Sequence, residues 1–284
     1  MSDPPEPLRL REVVAVVDRL YPPESAQSWD RVGLVTGDLD QPVRRIHLAV
    51  DPTLAVIAEA REAGADLLLT HHPLLLRGVH SVATTTAKGA SVSGLLAGGI
   101  ALHVAHTNAD VAAEGVCVAL ADACGLAQHE PLTISEGQPM GRVGDLSEQV
   151  SLRTFVERLA SRLPEAAGGI RVAGPPDAVL RRVALLGGAG DDLFDAVRAS
   201  GADVYVTADL RHHAVLEARE ESRGGPPYVV DAGHWASEQV WLARAERALR
   251  DALGADVARV ETHISTVRTD PWTFVVGADP GGMP

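Results

Sequence analysis

Apolar residues recur at helical spacing over residues 8–20, at Leu10, Val13, Val14, Val17 and Leu20, and Tyr21-Pro22-Pro23 closes that segment. The pattern then changes to short apolar runs bounded by breakers. Residues 46–50 read as a buried strand and residues 54–63 as a helix that Asp51 is placed to cap and Gly64 to stop. Residues 67–70 read as the next buried strand, ended by Pro73, which has no amide hydrogen to give a sheet. A helix at 91–97, a strand at 100–105 and a helix at 116–123 ended by Gly125 continue the alternation. Strand–helix alternation of this kind predicts a largely parallel α/β sheet. Residues 128–145 read as irregular, 151–163 as a helix, 228–230 as a strand and 257–267 as a last strand. The helix before that last strand is apolar at Leu242, Ala245, Leu249 and Leu253.

The chain also repeats itself. Arg44, Arg45, Leu48, Arg61, Gly64, Ala65, Asp66 and Thr70 each recur at one constant spacing of 137 residues, as Arg181, Arg182, Leu185, Arg198, Gly201, Ala202, Asp203 and Thr207. Most other differences across the stretch exchange one apolar residue for another. The pattern predicts two similar α/β lobes, one from residues 1–127 with 229–284 and one from residues 128–228. The lobes are chemically unequal, because Ala208 and Asp209 stand where the first has His71 and His72. Gly187-Gly188-Ala189-Gly190 follows a strand of the second lobe. It reads as a tight turn, with phosphate cradling at a helix start as the other reading.

Composition narrows the function. With 46% hydrophobic and 22% charged residues, the 284-residue chain is globular and buries a substantial core. A formal charge of −13 disfavours nucleic acid and anionic membrane as partners. Lys88 is the only lysine. Residues 1–7 lack the basic and apolar regions of a signal peptide, and no apolar run has membrane-spanning length, so a cytoplasmic location is expected. Cys117 and Cys124 then read as buried free thiols.

Candidate chemistry gathers at strand ends and helix starts. Thr70-His71-His72-Pro73 puts two imidazoles at a strand end, and a turn there is needed for both rings to share a site. Asp110 follows the third strand, and His234 and Glu238 lie four apart on one helical face. Three imidazoles and two carboxylates without a thiolate suit zinc, manganese, iron, cobalt or nickel, and argue against a closed structural zinc site. Five ligands with a carboxylate able to bridge suit two ions about 3.5–4 Å apart, which acidify a bound water into a nucleophile. Asp30, His106, Asp209, His212 and His213 are candidates for supporting the ligands or contacting substrate.

Trp29-Asp30-x-Val32-Gly33-Leu34, Thr70-His71-His72-Pro73, His106-Thr107-Asn108-x-Asp110 and Asp231-x-Gly233-His234-x-x-Ser237-Glu238, in this order, resemble the signature blocks of the Nif-three-like family. Its members carry the name GTP cyclohydrolase I type 2 homologue. The resemblance spans nearly the whole chain, and Pro131 to Arg181 is too short for the domain that longer members insert. It implies two α/β lobes, a toroidal homohexamer built as a trimer of dimers, and two divalent ions per subunit. By the same resemblance, Glu238 would bridge the ions, His72 and Asp110 would hold one, and His71 and His234 the other. Arg31 stands where the family usually has Asn, Glu114-Gly115 replaces a common Gly-Gly, and Ala208 replaces a Gly. Two function classes follow. One is a dinuclear hydrolase of a nucleotide-like or phosphate-bearing small molecule, with ring opening of GTP as its cyclohydrolase form. The other is a non-catalytic metal-binding, metal-delivery or scaffold protein.

Overall fold

The chain opens with a two-residue strand β1 (Leu8–Arg9) that leads directly into helix α1 (Leu10–Leu20), whose apolar stripe buries Leu10, Val13, Val16 and Val17. Leu10, Val13 and Val17 are among the helix-spaced apolar positions of the sequence, whereas Val14 and Leu20 are only half-buried and Val16 joins the stripe instead. Strands β2 (Gly33–Thr36), β3 (Pro42–Val43) and β4 (Arg45–Ala49) follow. Helix α2 (Leu54–Glu62) starts at Thr53, whose hydroxyl accepts from Val56 N at 3.3 Å. Thr53 thus fills the capping role expected of Asp51. Then come β5 (Leu67–Thr70), α3 (Ala87–Gly98), β6 (Ala101–Val104), α4 (Thr107–Val111) and α5 (Val116–Cys124). Helix α3 starts four residues before the expected 91, because Thr86 caps it through Gly89 N.

Residues 128–145, read as irregular, instead hold the paired strands β7 (Thr133–Ser135) and β8 (Gln138–Met140) and the first part of β9 (Arg142–Ser151). Beyond lie α6 (Leu152–Ala160), β10 (Arg171–Ala173), β11 (Val179–Ala189), α7 (Phe194–Ala199), β12 (Val204–Ala208), α8 (His212–Glu221), β13 (Tyr228–Asp231), α9 (His234–Leu253) and β14 (Glu261–Ile264). The last strand is shorter than the expected 257–267 because a 3-10 turn over Gly254–Arg259 takes its first residues. The computed structural model describes residues 6–277, so the first five residues of the stretch read for a signal peptide lie outside the described residues.

Two compact units divide the chain. Among the described residues, the first takes in those up to 119 with 134–140 and 241–269, and the second 120–133, 141–240 and those from 270 onward. Residues 229–240, expected with the first lobe, fall in the second unit because β13 pairs in parallel with β12. The first unit's sheet has the order β14-β4-β5-β6-β2, with β14, β4, β5 and β6 parallel and β2 antiparallel at the edge. Leu67, Leu68, Leu69 and Thr70 of the central β5 are all buried, as a parallel strand covered on both faces requires. Leu68 packs in one cluster with Val56 and Ile57 of α2, Val92 and Leu95 of α3, and Leu102 and Val104 of β6. Each such side chain contributes roughly 1.5–3 kcal/mol by leaving water. The second unit's sheet runs β10-β13-β12-β11-β9, with β11, β12 and β13 parallel between two antiparallel edges.

Asp66 and Asp203 do the same local job in their units. Asp66 Oδ2 accepts from Arg44 N at 2.7 Å and Arg45 N at 2.9 Å, and Asp203 Oδ2 accepts from Arg181 N at 2.7 Å and Arg182 N at 2.8 Å. Each carboxylate joins the start of one parallel strand to the start of the next. Lys88 Nζ donates to Leu74 O at 2.7 Å, tying α3 to the segment that follows His71-His72-Pro73. Both cysteines are buried thiols outside any disulfide, and burial pushes the Cys124 thiol up to about 12. Among the described residues no helix is long and apolar enough to cross a membrane.

Candidate metal centre

The end of β5 is where the first unit concentrates imidazoles. His71 N donates to Ala49 O at 3.2 Å and His72 N to Val50 O at 2.8 Å, so the backbone stays beside β4 past the strand end. Thr70 Oγ1 donates to His72 O at 3.1 Å and closes the turn that Pro73 demands. The two rings consequently converge, with centroids 5.0 Å apart. The ring of His106, at the end of β6, lies 5.0 Å from that of His71 and 5.5 Å from that of His72. Donor atoms of these three histidines lie within 4.8 Å of one another. His106, expected to support Asp110, thus stands beside the His71-His72 pair as a third nitrogen donor. Trp241 packs against His71, with ring centroids 5.5 Å apart.

Every one of these rings is fixed through Nδ1. His71 Nδ1 lies 3.0 Å from Ala105 O, His72 Nδ1 lies 2.7 Å from Asp51 Oδ1, and His106 Nδ1 lies 2.9 Å from Asp30 Oδ1. A carbonyl or carboxylate oxygen only accepts, so Nδ1 carries the proton in each ring and the neutral ring's lone pair sits on Nε2. His71 Nε2 faces Asp110 Oδ1 at 3.7 Å, beyond hydrogen-bonding distance, and both atoms are shielded from solvent. Two electron-rich atoms held this way fit a cation between them. Asp110 reaches the position from the first turn of the short α4.

Two carboxylates hold the imidazoles from behind. Asp30 is buried and accepts from His106, Thr107 N at 3.0 Å, Thr107 Oγ1 at 2.6 Å and Arg31 N at 2.7 Å. Burial alone would raise its pKa, but the bonds from His106 and Thr107 outweigh that and hold the carboxyl well below the usual carboxylate range. Asp51 carries His72 on Oδ1 and accepts from the Thr269 hydroxyl on Oδ2. In the sequence alone Asp51 reads as a helix cap and Thr269 as part of the exit from the last strand.

The second unit repeats the same logic with one histidine. His234 and Glu238 open α9, with His234 Nε2 3.0 Å from Glu238 Oε1 and Glu238 buried. Asp209 Oδ2 accepts from His234 Nδ1 at 2.8 Å. Asp209 has φ +53°, a left-handed conformation that Asp tolerates better than most residues. Nδ1 is the donor here too, so the short Nε2–carboxylate contact needs a proton or a metal cation between its atoms. Gly188, at φ +69°, passes close behind this pair. A methyl group there would collide with Glu238 Oε1 and come within 3.2 Å of His234 Nε2. Gly188 N donates to Ser237 Oγ at 3.0 Å, and Ser237 Oγ donates to His234 O at 2.8 Å. The glycine-rich turn therefore seats the start of α9. His212 and His213, exposed at the start of α8, have rings 5.1 Å apart and line different cavities. His212 lines a cavity of about 400 Å³ with Arg171, Leu216 and Arg219, and His213 one of about 550 Å³ with Asp191 and Arg211.

Residues 8–271 match the model of the family described as Duf34/NIF3 (NGG1p interacting factor 3). The chain belongs to this family. A relative from Streptomyces coelicolor named GTP cyclohydrolase 1 type 2 homolog is 47% identical over 277 residues, covering 96% of each chain. A Mycobacterium tuberculosis protein of the same name is 34% identical, covering 94% of this chain and 97% of its own. Their alignment runs over 376 positions, more than this chain's 284 residues, so that NIF3 relative carries additional sequence. The crystal structure of a Bacillus cereus protein related to NIF3 superposes with a TM-score of 0.86 at 25% identity, over 95% of this chain and all of its own.

Proposed function

We propose that His71, His72, Asp110, His234 and Glu238 together hold two divalent ions, and that this NIF3 chain is a metal-dependent hydrolase of a nucleotide-like or phosphate-bearing small molecule. The observation that carries the reading is the common orientation of His71, His72 and His234. Each donates from Nδ1 to an oxygen, leaving the Nε2 lone pair to ligate. Carboxylate- or carbonyl-backed imidazoles are how metal-ligating histidines are usually oriented, and the backing raises their basicity. Ions held there would generate a nucleophile from water near neutral pH and polarise the electrophile. The rest is the chain's own work. Asp51 and Thr269 keep His72 in one rotamer, the Ala105 carbonyl fixes the tautomer of His71, and Asp209 orients His234. Burial of Asp110 Oδ1 and Glu238 Oε2 keeps water from competing for them. The relatives' name suggests hydrolytic opening of the guanine ring of GTP as the specific reaction.

The test joins metal content to turnover. Protein purified without chelator is expected to retain roughly two ions per chain, and Glu238→Ala and Glu238→Gln to lose them with the fold kept by circular dichroism. Full retention in both variants would sink the ligand set. A screen of metal-loaded protein against nucleotides and phosphoesters should find a substrate whose turnover disappears in His71→Ala and Glu238→Ala. If no substrate turns over with any metal while ions exchange rapidly with an acceptor protein, the role is metal handling and not hydrolysis.

A further inference from the structure

A second set of donors lies elsewhere in the first unit, on the opposite flank of β4. His47 of β4 and His263 of β14 are direct partners in a parallel register, so their side chains share a face of the sheet. Their ring centroids are 4.9 Å apart. Glu59 of α2 lies over the same face, with Oε2 2.9 Å from His47 Nε2. Donor atoms of His47, Glu59 and His263 all lie within 4.8 Å of one another.

Three features distinguish this group from an ordinary packed histidine. His47 is fully buried, and its Nδ1 makes no hydrogen bond among the described residues. That nitrogen is open to carry the ring proton when Nε2 serves as the ligand. The Glu59 carboxylate is oriented from several sides, by Ser265 Oγ, by Thr266 N at 3.0 Å and by Thr266 Oγ1 at 2.7 Å, as metal-ligating carboxylates are. His263 is exposed, which supplies an entry path and room for water ligands.

We propose that His47, His263 and Glu59 form a second cation site, separate from the candidate centre, that takes a borderline divalent ion such as zinc. Two imidazoles and one carboxylate with open positions match that ion's preferences. The proton now between His47 Nε2 and Glu59 Oε2 would pass to His47 Nδ1 when a cation takes its place. Burial also lowers the His47 pKa, which keeps the ring neutral and able to ligate. A bound ion would join the edge strand β14 to β4 and α2. It would also steady the stretch from Ser265 to Thr269, whose last residue braces Asp51.

The probe is zinc alone, titrated into the full chain by calorimetry and located by anomalous diffraction at the zinc edge. His263→Ala removes an exposed ligand at no cost to the core and should bind one zinc fewer per chain, with the metal content of the candidate centre unchanged. Glu59→Gln should show the same loss. An anomalous peak among His47, Glu59 and His263 that vanishes in His263→Ala supports the site. Zinc stoichiometry equal in wild type and His263→Ala, or occupancy seen only at millimolar zinc, overturns it.

Discussion

Asp51 lies beside His72 because the parallel register pairing Ala49 with Thr70 continues past the ends of both strands. The cue was therefore present in the sequence, since two adjacent parallel strands whose ends are known place Asp51 opposite His72. A cap role for Asp51-Pro52-Thr53 hid it, and Thr53 fills that role. His71, His72, Asp110 and His234 were legible because strand ends and helix starts are where the chain displays side chains toward a site. The supporting carbonyl of Ala105 was not legible, because a backbone carbonyl leaves no pattern in one sequence. Asp51→Asn keeps the shape of the side chain but weakens its grip on the Nδ1 proton. It is expected to lower the affinity of the centre for its metal by roughly 10–100-fold. Equilibrium competition with a chromophoric chelator measures this, and an affinity within twofold of wild type would show that Asp51 does not position His72.

Among the elements, the buried parallel strands were the easiest to read and the edges the hardest. β5 announces itself as an unbroken apolar run, whereas β14 alternates exposed and half-buried residues and is held by its pairing with β4. Helix α3 is rich in Gly, Ala and Ser, so its start depended on the Thr86 cap and not on amphipathic spacing. The bonds of Glu59 to Ser265, Thr266 and His47 are what anchor the exit of β14. Burial would raise the Glu59 pKa, and those bonds together lower it to about 2 from an ordinary 4.5. A carboxyl lowered on folding stabilises fully above its unfolded pKa and loses that contribution as the pH falls through the folded one. Glu59 therefore supports the fold above about pH 4.5 and ceases to do so toward pH 2. Urea melts in chelator should show wild type losing its advantage over Glu59→Gln across that window. A stability difference that does not change between pH 6 and pH 3 would disprove the assignment.

At the scale of the whole molecule, fold class and family were both legible, because four signature blocks in one order leave few alternatives. The reassignment of residues 229–240 was not, since which sheet a strand joins depends on pairing and not on its own composition. The proposed homohexamer is expected to appear in light scattering at moderate salt as a particle of six chains, and a monomer at micromolar concentration would dismiss it. A charge of −13 draws divalent cations toward the surface, an attraction that salt screens within about 10 Å at 0.1 M. The same composition leaves a single lysine, Lys88, which is exposed and whose ammonium holds the carbonyl of Leu74 just beyond the paired histidines. Amine-directed reagents and acetylating enzymes therefore find one side chain on the described surface. Acylating it removes the positive charge from the donor that tethers the segment leading away from His72, so the chain's only lysine is also a tie beside its candidate metal ligands.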